Sequence, residues 1–476
     1  MQRHNWLLGV AALLGGCNMA PPFRQPTLPV AAAYPETGKA GPGRPAADIG
    51  WQEFFADPRL RAYIAAALAG NRDLAQSVAR VAQARAQYRI QDAQRLPMLA
   101  ASGGASRTRT PLSTVRGDQP NVQGSITYDN FDVGVSVPAF ELDFWGRVRN
   151  LSDAARQRYL ATAEGERAFR LSLIGQVAST YMAIRSAEER IDLAERSVAA
   201  RREGLKIARQ RLDAGVTSTI DYDQSALLVT QAETELADLR RVTEQSINFL
   251  TVLVGGPIAA PLPPSLPLGD QQQIRGLDPG LPSALLENRP DIRAAEHQLR
   301  AANADIGAAR AAFFPLISLT GSFGFVSRDL DRLFDSDSKT WSYGAGGGGL
   351  PIFDWGQRSA NLRLSKAQAD EMVASYQKTV QQAFREVADA LVGRQRYAEQ
   401  IAAQERAVEA QRSLAQTARR RYENGISIYL EVLDAERSLF AAEQQLLALR
   451  AADLQNSISL YVALGGGLRA APPPAG

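Results

Sequence analysis

Residues 145–256 and 355–466 are two versions of one sequence, set 210 positions apart without a gap: Trp145 aligns with Trp355, Val177 with Val387, Ile191 with Ile401 and Gly215 with Gly425. Upstream, residues 73–97 align with 291–315 at an offset of 218, so the second copy is shorter between these two blocks. Self-similarity on this scale means one supersecondary unit made twice. Each half reads as a helix, an excursion, a very long helix, a turn and another helix.

The long helices are predicted over 147–213 and 357–423, in proline-free runs rich in Ala, Gln, Arg, Leu and Glu. About 67 residues at about 1.5 Å each make a rod of about 100 Å. Val177, Ile184, Ile191, Val198, Leu205 and Leu212 recur every seventh residue, flanked by Ala187, Ala194 and Ala208. That is a narrow coiled-coil seam, packed closely through small side chains. Shorter helices at about 71–95 and 218–254 run opposite to the long one and together match its length, so stacking them end to end beside it is the economical arrangement.

The excursions follow a different period. In 316–326, Ile317, Leu319, Phe323 and Phe325 alternate with Ser318, Thr320, Ser322 and Gly324, and Trp341, Tyr343 and Ala345 share one face of the segment after it. The first copy has Phe131, Val133, Val135 and Val137 in alternation, with 98–110 as the expected partner strand. Period two with one apolar and one polar face makes each excursion a β-hairpin. Its aromatics fit either an interfacial girdle or the edge of a buried sandwich. Four strands cannot close a barrel, and open edges in lipid leave backbone groups unpaired at several kcal/mol each. A membrane reading therefore requires several copies, giving 8, 12 or 16 strands for two, three or four chains.

At the N-terminus, Trp6–Leu14 is an apolar run too short to span a bilayer, and Leu14-Gly15-Gly16-Cys17 resembles a lipobox ending on the chain's single cysteine. Cys17 is the expected site of lipidation, with an ordinary signal and an accidental cysteine as the alternative. The Pro-rich segment after it should run extended. With 53 Lys and Arg against 50 Asp and Glu, interspersed, the chain carries no nucleic-acid footprint. Catalysis is equally unsupported. The only histidine beyond the leader, His297, falls in an Ala-rich helix and reads as a surface residue; no Cys/His metal spacing, nucleophile elbow or phosphate loop occurs, and 346–351 is taken as close backbone packing. Five methionines offer no soft-metal path.

The long helices end at Gly215 and Gly425, where positive φ is needed to turn, and Ser218 with Asp221 has capping-box spacing for the next helix. Acids at Asp221, Asp223, Glu431 and Asp434 have two readings. Helix N-termini stabilise them by about 0.3–1 kcal/mol. Alternatively, in a tube of helices these corners ring its free end and select cations. The corners share Arg-x-Arg-x-x-x-Gly, whereas the acids fall differently in each copy.

The lipobox, the duplicated helix-hairpin-long helix plan, 145-WGRV, 355-WGQR and the RRRYENG…LDA corner together resemble the TolC-type outer-membrane efflux channels, specifically the RND-associated lipoprotein branch (NodT-like outer membrane factors). The resemblance implies a mixed α/β membrane protein: a homotrimer with a 12-stranded outer-membrane β-barrel continuous with a long periplasmic α-helical barrel. It implies an outer-membrane channel in a tripartite efflux system, working with a periplasmic adaptor and an inner-membrane RND pump, anchored in outer-membrane lipid and needing no cofactor beyond the lipid on Cys17. Glu431, Asp434, Asp221, Asp223 and Tyr422 become gate candidates, and Gly215 and Gly425 mark the tip turns and adaptor docking. Ser427 stands where some relatives carry an arginine and others an aspartate, so the particular salt-bridge latch of those relatives is not carried over. The implied division is a signal peptide (1–16), an acylated arm (17–50), a first repeat (51–256, hairpin about 98–144), a Pro-rich belt (257–287), a second repeat (288–466, hairpin about 316–354) and a tail (467–476). The competing function is a lipid-anchored coiled-coil scaffold or adhesin that transports nothing.

Overall fold

The computed structural model describes residues 18–31, 34, 44–112, 124–258, 261–271, 277–278, 284–347 and 352–468. The signal peptide, Cys17, parts of the belt, 348–351 and nearly all of the C-terminal tail lie outside the described residues. The main elements are α1 (Pro58–Gly70), α2 (Arg72–Ala93), β1 (Ala100–Pro111), β2 (Ser125–Glu141), α3 (Arg147–Asp213), α4 (Thr219–Val254), α5 (Pro290–Ala311), β3 (Ile317–Ser327), β4 (Lys339–Gly347), α6 (Gln357–Glu423) and α7 (Tyr429–Ala463). The long helices α3 and α6, of 67 residues each, occupy the ranges predicted for them. Helix α1 was not predicted. Its boundary with α2 is a single residue, Asn71, whose side chain accepts from Leu74 N at 2.8 Å and caps the second helix.

The chain divides into two compact units. One comprises the described residues of 1–26, 81–162 and 295–376. Its centre is one antiparallel sheet in the order β1-β2-β3-β4, so the two hairpins join through β2 and β3. Register places Ala101 opposite Val135, Val135 opposite Phe323 and Phe323 opposite Trp341, which gathers the apolar residues on one face. The other face gathers Ser102, Ser136, Ser322 and Ser342, and the last two hydroxyls are 2.8 Å apart. Phe323, Trp341 and Tyr343 are 53, 67 and 82 % exposed. Phe334 meets Phe325 at one end of that face, with ring centroids 5.5 Å apart. Between Val137 and Phe140 the β2–β3 register shifts at Pro138, which has no N–H for the ladder. Gly134 and Gly324 face each other across β2 and β3, and a Cβ on Gly134 would stand 2.8 Å from Phe323 O. The strands approach too closely there for any side chain.

In this unit the N-terminal segment lies along the helices without regular structure. Asn18 accepts from Asn150 Nδ2 at 3.0 Å, Met19 O from Arg310, Pro21 O from Asn303, and Phe23 sits under the Arg300 guanidinium. A Cβ on Gly307 would strike Ala20 at 2.8 Å, so that glycine opens the notch the segment occupies. His297 is half-buried, with Nδ1 2.7 Å from Gln157 Oε1, rather than the surface residue expected from its Ala-rich helix.

The second unit comprises the described residues of 27–80, 163–294 and 377–476. The predicted seam is buried at Val177, Ile184 and Val198, while Ile191, Leu205 and Leu212 are half-buried. Ala194 packs with Leu239 of α4 and Phe440 of α7. The short helices do stack end to end. Asn71 Nδ2 donates to Leu253 O at 2.8 Å, joining the end of α4 to the start of α2. At the equivalent place in the second repeat, Arg289 Nη1 donates to Ala463 O at 3.0 Å, joining α7 to α5. Midway along α3, the fully buried carboxylate of Asp57 collects Leu60 N, Leu266 N, Tyr181 OH and Gln271 Nε2. Burial alone would raise its pKa, but these hydrogen bonds outweigh burial and hold it below the usual carboxylate range. The described belt residues are fixed to this hub, with Pro263 O accepting from Arg59 and Leu268 N donating to Glu189.

Candidate channel gate at the paired helix turns

Each long helix ends by the same chemistry. Gly215 and Gly425 take φ of 72° and 70°. Val216 N then donates to Arg211 O at 2.9 Å, and Ile426 N to Arg421 O at 2.8 Å. Only glycine enters this left-handed conformation without penalty, and the backbone bonds satisfy carbonyls that the helix end would leave open.

Beyond the glycines the copies diverge. Ser218 caps α4, accepting from Asp221 N at 3.4 Å, and the Asp221 carboxylate accepts from Thr217 Oγ1. This is half of a capping box: the short aspartate side chain bonds the hydroxyl before the cap instead of the cap's own N–H. The matching positions in the second copy are Ser427, Ile428 and Glu431. Ile428 caps nothing, Ser427 Oγ is buried with no hydrogen-bond partner, and Glu431 pairs with Arg421 at 3.6 Å. Asp434 pairs with Arg437 one turn along α7, and Asp223 stands exposed on α4. Glu431 and Asp434 are thus each balanced by an arginine of the same chain.

The contacts that tie one turn to the other come from Tyr422 and from residues the sequence reading did not single out. Arg211, in the last turn of α3, donates Nη1 to Tyr422 OH at the end of α6 and lies 5.1 Å above its ring. Tyr422 in turn meets Tyr429 of α7 with centroids 4.9 Å apart. Tyr429 OH presses on Gly204 of α3, where any Cβ would clash. Burial first, then the charges of Glu436 and Tyr422, push the Tyr429 hydroxyl up to about 12. Thus α3 is held to α6 and α7 by one cation, two tilted phenol rings and one side-chain-free notch. The repeated Arg-x-Arg before each glycine was the signal for Arg211; nothing comparable marked Gly204.

Among the described residues no helix is long and apolar enough to cross a membrane, and no cluster of acids, histidines or cysteines could hold a metal ion. A twice-repeated helical unit with one apolar-faced sheet built from both repeats defines the class of outer-membrane channel proteins. The model of the outer membrane efflux protein family matches residues 63–256 and 281–466, one match per repeat, and the chain belongs to that family. It is 42% identical to the solvent efflux pump outer membrane protein SrpC of Pseudomonas putida over 96% of each chain. Outer membrane protein OprJ of Pseudomonas aeruginosa is 40% identical, with 96% of this chain and 94% of OprJ covered. Among solved structures, the open state of the MtrE outer membrane channel of Neisseria gonorrhoeae superposes with a TM-score of 0.86 at 38% identity, covering 95% of this chain and 99% of that one. The protein is an outer-membrane channel component of an efflux system, in a family of transport channels rather than enzymes, and the scaffold or adhesin reading falls.

Proposed function

We propose that three copies assemble into one pore, with twelve strands closing a β-barrel in the outer membrane and the duplicated helices forming a periplasmic tube whose mouth is gated at the paired turns. The observation that carries this is the open sheet. Its face is apolar and exposed, and β1 and β4 end it without a partner among the described residues, an arrangement stable in lipid only when other copies complete it. Two quasi-equivalent corners per chain suit a partner of matching symmetry, and a periplasmic adaptor docking near Gly215 and Gly425, with an RND pump behind it, is the reading the family supports. Organic molecules are the proposed cargo, since SrpC is named for solvent efflux and this chain holds only five methionines.

Arg211, Tyr422 and Tyr429 form the latch, with Glu431, Asp434, Asp221 and Asp223 as the charges around it. Removing Arg211 deletes a charge-assisted contact worth about 1 kcal/mol per protomer, a roughly fivefold shift toward the open state for each contact broken. Purified protein should scatter light as three copies and conduct in planar bilayers, with Arg211→Ala conducting several-fold more than the parent. A monomer without steady conductance would overturn the pore, and an unchanged Arg211→Ala would overturn the gate. Lipidation of Cys17 is supported by the seating of Asn18 at the start of α3, in the stretch that follows the sheet. Intact mass should show the acyl groups on the parent and none on Cys17→Ser.

A further inference from the structure

The apolar face of the sheet is uneven. Along β1 it carries only Ala101, Gly103 and Ala105, whereas two strands away β3 raises Phe323 and Phe325. The loop after β3 turns back over this step and sets Phe334 against Phe325. Small residues on one side and rings on the other leave an open hollow of about 550 Å³ across β1, β2 and β3, lined also by Val133 and Val135. That is the volume of a small-molecule site with an apolar lining. The rim of this face furthest from Glu141 and the start of α3 is basic. Lys339 stands directly opposite Phe325, and Arg107 follows Gly103 on the same face of β1, about 13 Å further on at about 3.3 Å per residue. Arg109 lies one step beyond and donates to Ser125 Oγ, while the acid on this rim, Asp129, stands 3.1 Å from Arg107. Lys339 holds no ion pair among the described residues. On the reverse face of the same strands the charges balance, Asp132 against Arg328, which lies over the Tyr128 ring. The loop between β3 and β4 holds Asp329, Asp331, Asp335 and Asp337, with Asp335 paired to Arg332, so the excess of cations is confined to the sheet face.

We propose that this hollow and its rim bind a phosphorylated, multiply acylated lipid of the outer leaflet, with an acyl chain against Val133, Phe325 and Phe334 and its phosphate on Lys339 and Arg107. The inference rests on the reading of the sheet as the wall of an outer-membrane barrel. That reading turns the apolar face to lipid and the helices to the periplasm, so the basic rim meets the headgroups of the outer leaflet. Charge then selects the occupant. Each cation near the surface strengthens an anionic headgroup by roughly fivefold and does little for a zwitterionic one. Arg107 is available for this, because its pair with Asp129 is exposed and such pairs contribute little. Its planar fork suits phosphate oxygens, and Lys339 adds a point charge. The loop aspartates oppose a free anion arriving from water, so chain and phosphate have to be parts of one molecule.

The test titrates the full-length protein in neutral detergent with lipid A, the phosphorylated glucosamine anchor of lipopolysaccharide, and counts retained lipid by native mass spectrometry. The parent should hold lipid A at concentrations where phosphatidylethanolamine is not retained. Lipid A stripped of its phosphates should bind at least several-fold more weakly, and inorganic phosphate should displace nothing. Lys339→Ala combined with Arg107→Ala should weaken binding by about 25-fold, while Lys339→Arg should match the parent. Gly103→Leu keeps every cation and fills the hollow; its Cβ would lie 3.6 Å from Asp132 O, an ordinary contact that the sheet can accept, and retention should fall to the phosphatidylethanolamine level. Equal retention of lipid A and phosphatidylethanolamine, displacement by inorganic phosphate, or parent-level binding by the double variant or by Gly103→Leu overturns the site. Light scattering and bilayer conductance of the same preparation separate the two readings. If the protein scatters as three copies and conducts but shows no preference for lipid A, the site alone fails; if it is a monomer without steady conductance, the barrel fails and the site with it.

Discussion

The buried oxygens of Asp57 collect donors from α1, α3 and the belt, so one carboxylate fastens three parts of the chain that share no secondary structure. Its lowered pKa means that its contribution to stability is complete above the unfolded carboxylate pKa and is lost only as pH falls through the lower folded value. Asp57→Ala removes the cap of α1 and leaves Tyr181 and Gln271 without their acceptor, at a cost on the order of 3 kcal/mol. Thermal melting should show a clearly lower midpoint; an unchanged one would mean the hub is not a source of stability. Nothing in the stretch around Asp57 announces this role, because its partners lie 124, 209 and 214 positions away. Tyr422 is the opposite case. It stands three residues before the turning Gly425, beside a repeated arginine pattern, and its place at the corner follows from that position.

Among the elements, the helices were read closely and their joints were not. Heptad spacing and the absence of proline define α3 and α6 through local backbone preference, which sequence carries directly. The joints depend on which ends meet. Asn71 and Arg289 hold the same station in the two repeats, each donating to the last turn of the helix that precedes it in the stack, although one is an amide and the other a cation. Alignment alone would have scored that pair as a mismatch. In the sheet, alternation assigned the faces correctly, but the closeness of β2 and β3 at Gly134 and Gly324 emerged only from pairing. Gly324→Leu places a side chain against backbone that cannot yield, at about 1–3 kcal/mol or more. Membrane-inserted protein should drop sharply for Gly324→Leu and stay near the parent level for Gly321→Ala, whose added Cβ would lie 3.8 Å from Ser342 O. Equal yields would show that the strands can separate at no cost.

Duplication organises the chain, and the two copies depart from each other at their turns. Both copies make the same glycine turn, but only the first has a serine cap with a satisfied hydroxyl, while the second leaves Ser427 unpartnered and sends Glu431 to Arg421. The contacts between the turns are likewise asymmetric, running from Arg211 of the first repeat to Tyr422 and Tyr429 of the second, as does the stacking of Arg201 on Phe440. Two copies of one fold have become a pair whose mutual contacts differ from their internal ones. The repeat, the periods of helix and strand and the turning glycines are all legible in one dimension, because each follows from local conformational preference. Which side chains meet is settled only by folding: Asp57 with the belt, Arg211 with Tyr422, Arg201 with Phe440. Those contacts join residues far apart in the chain, and a linear pattern holds no record of which distant neighbours share a buried site.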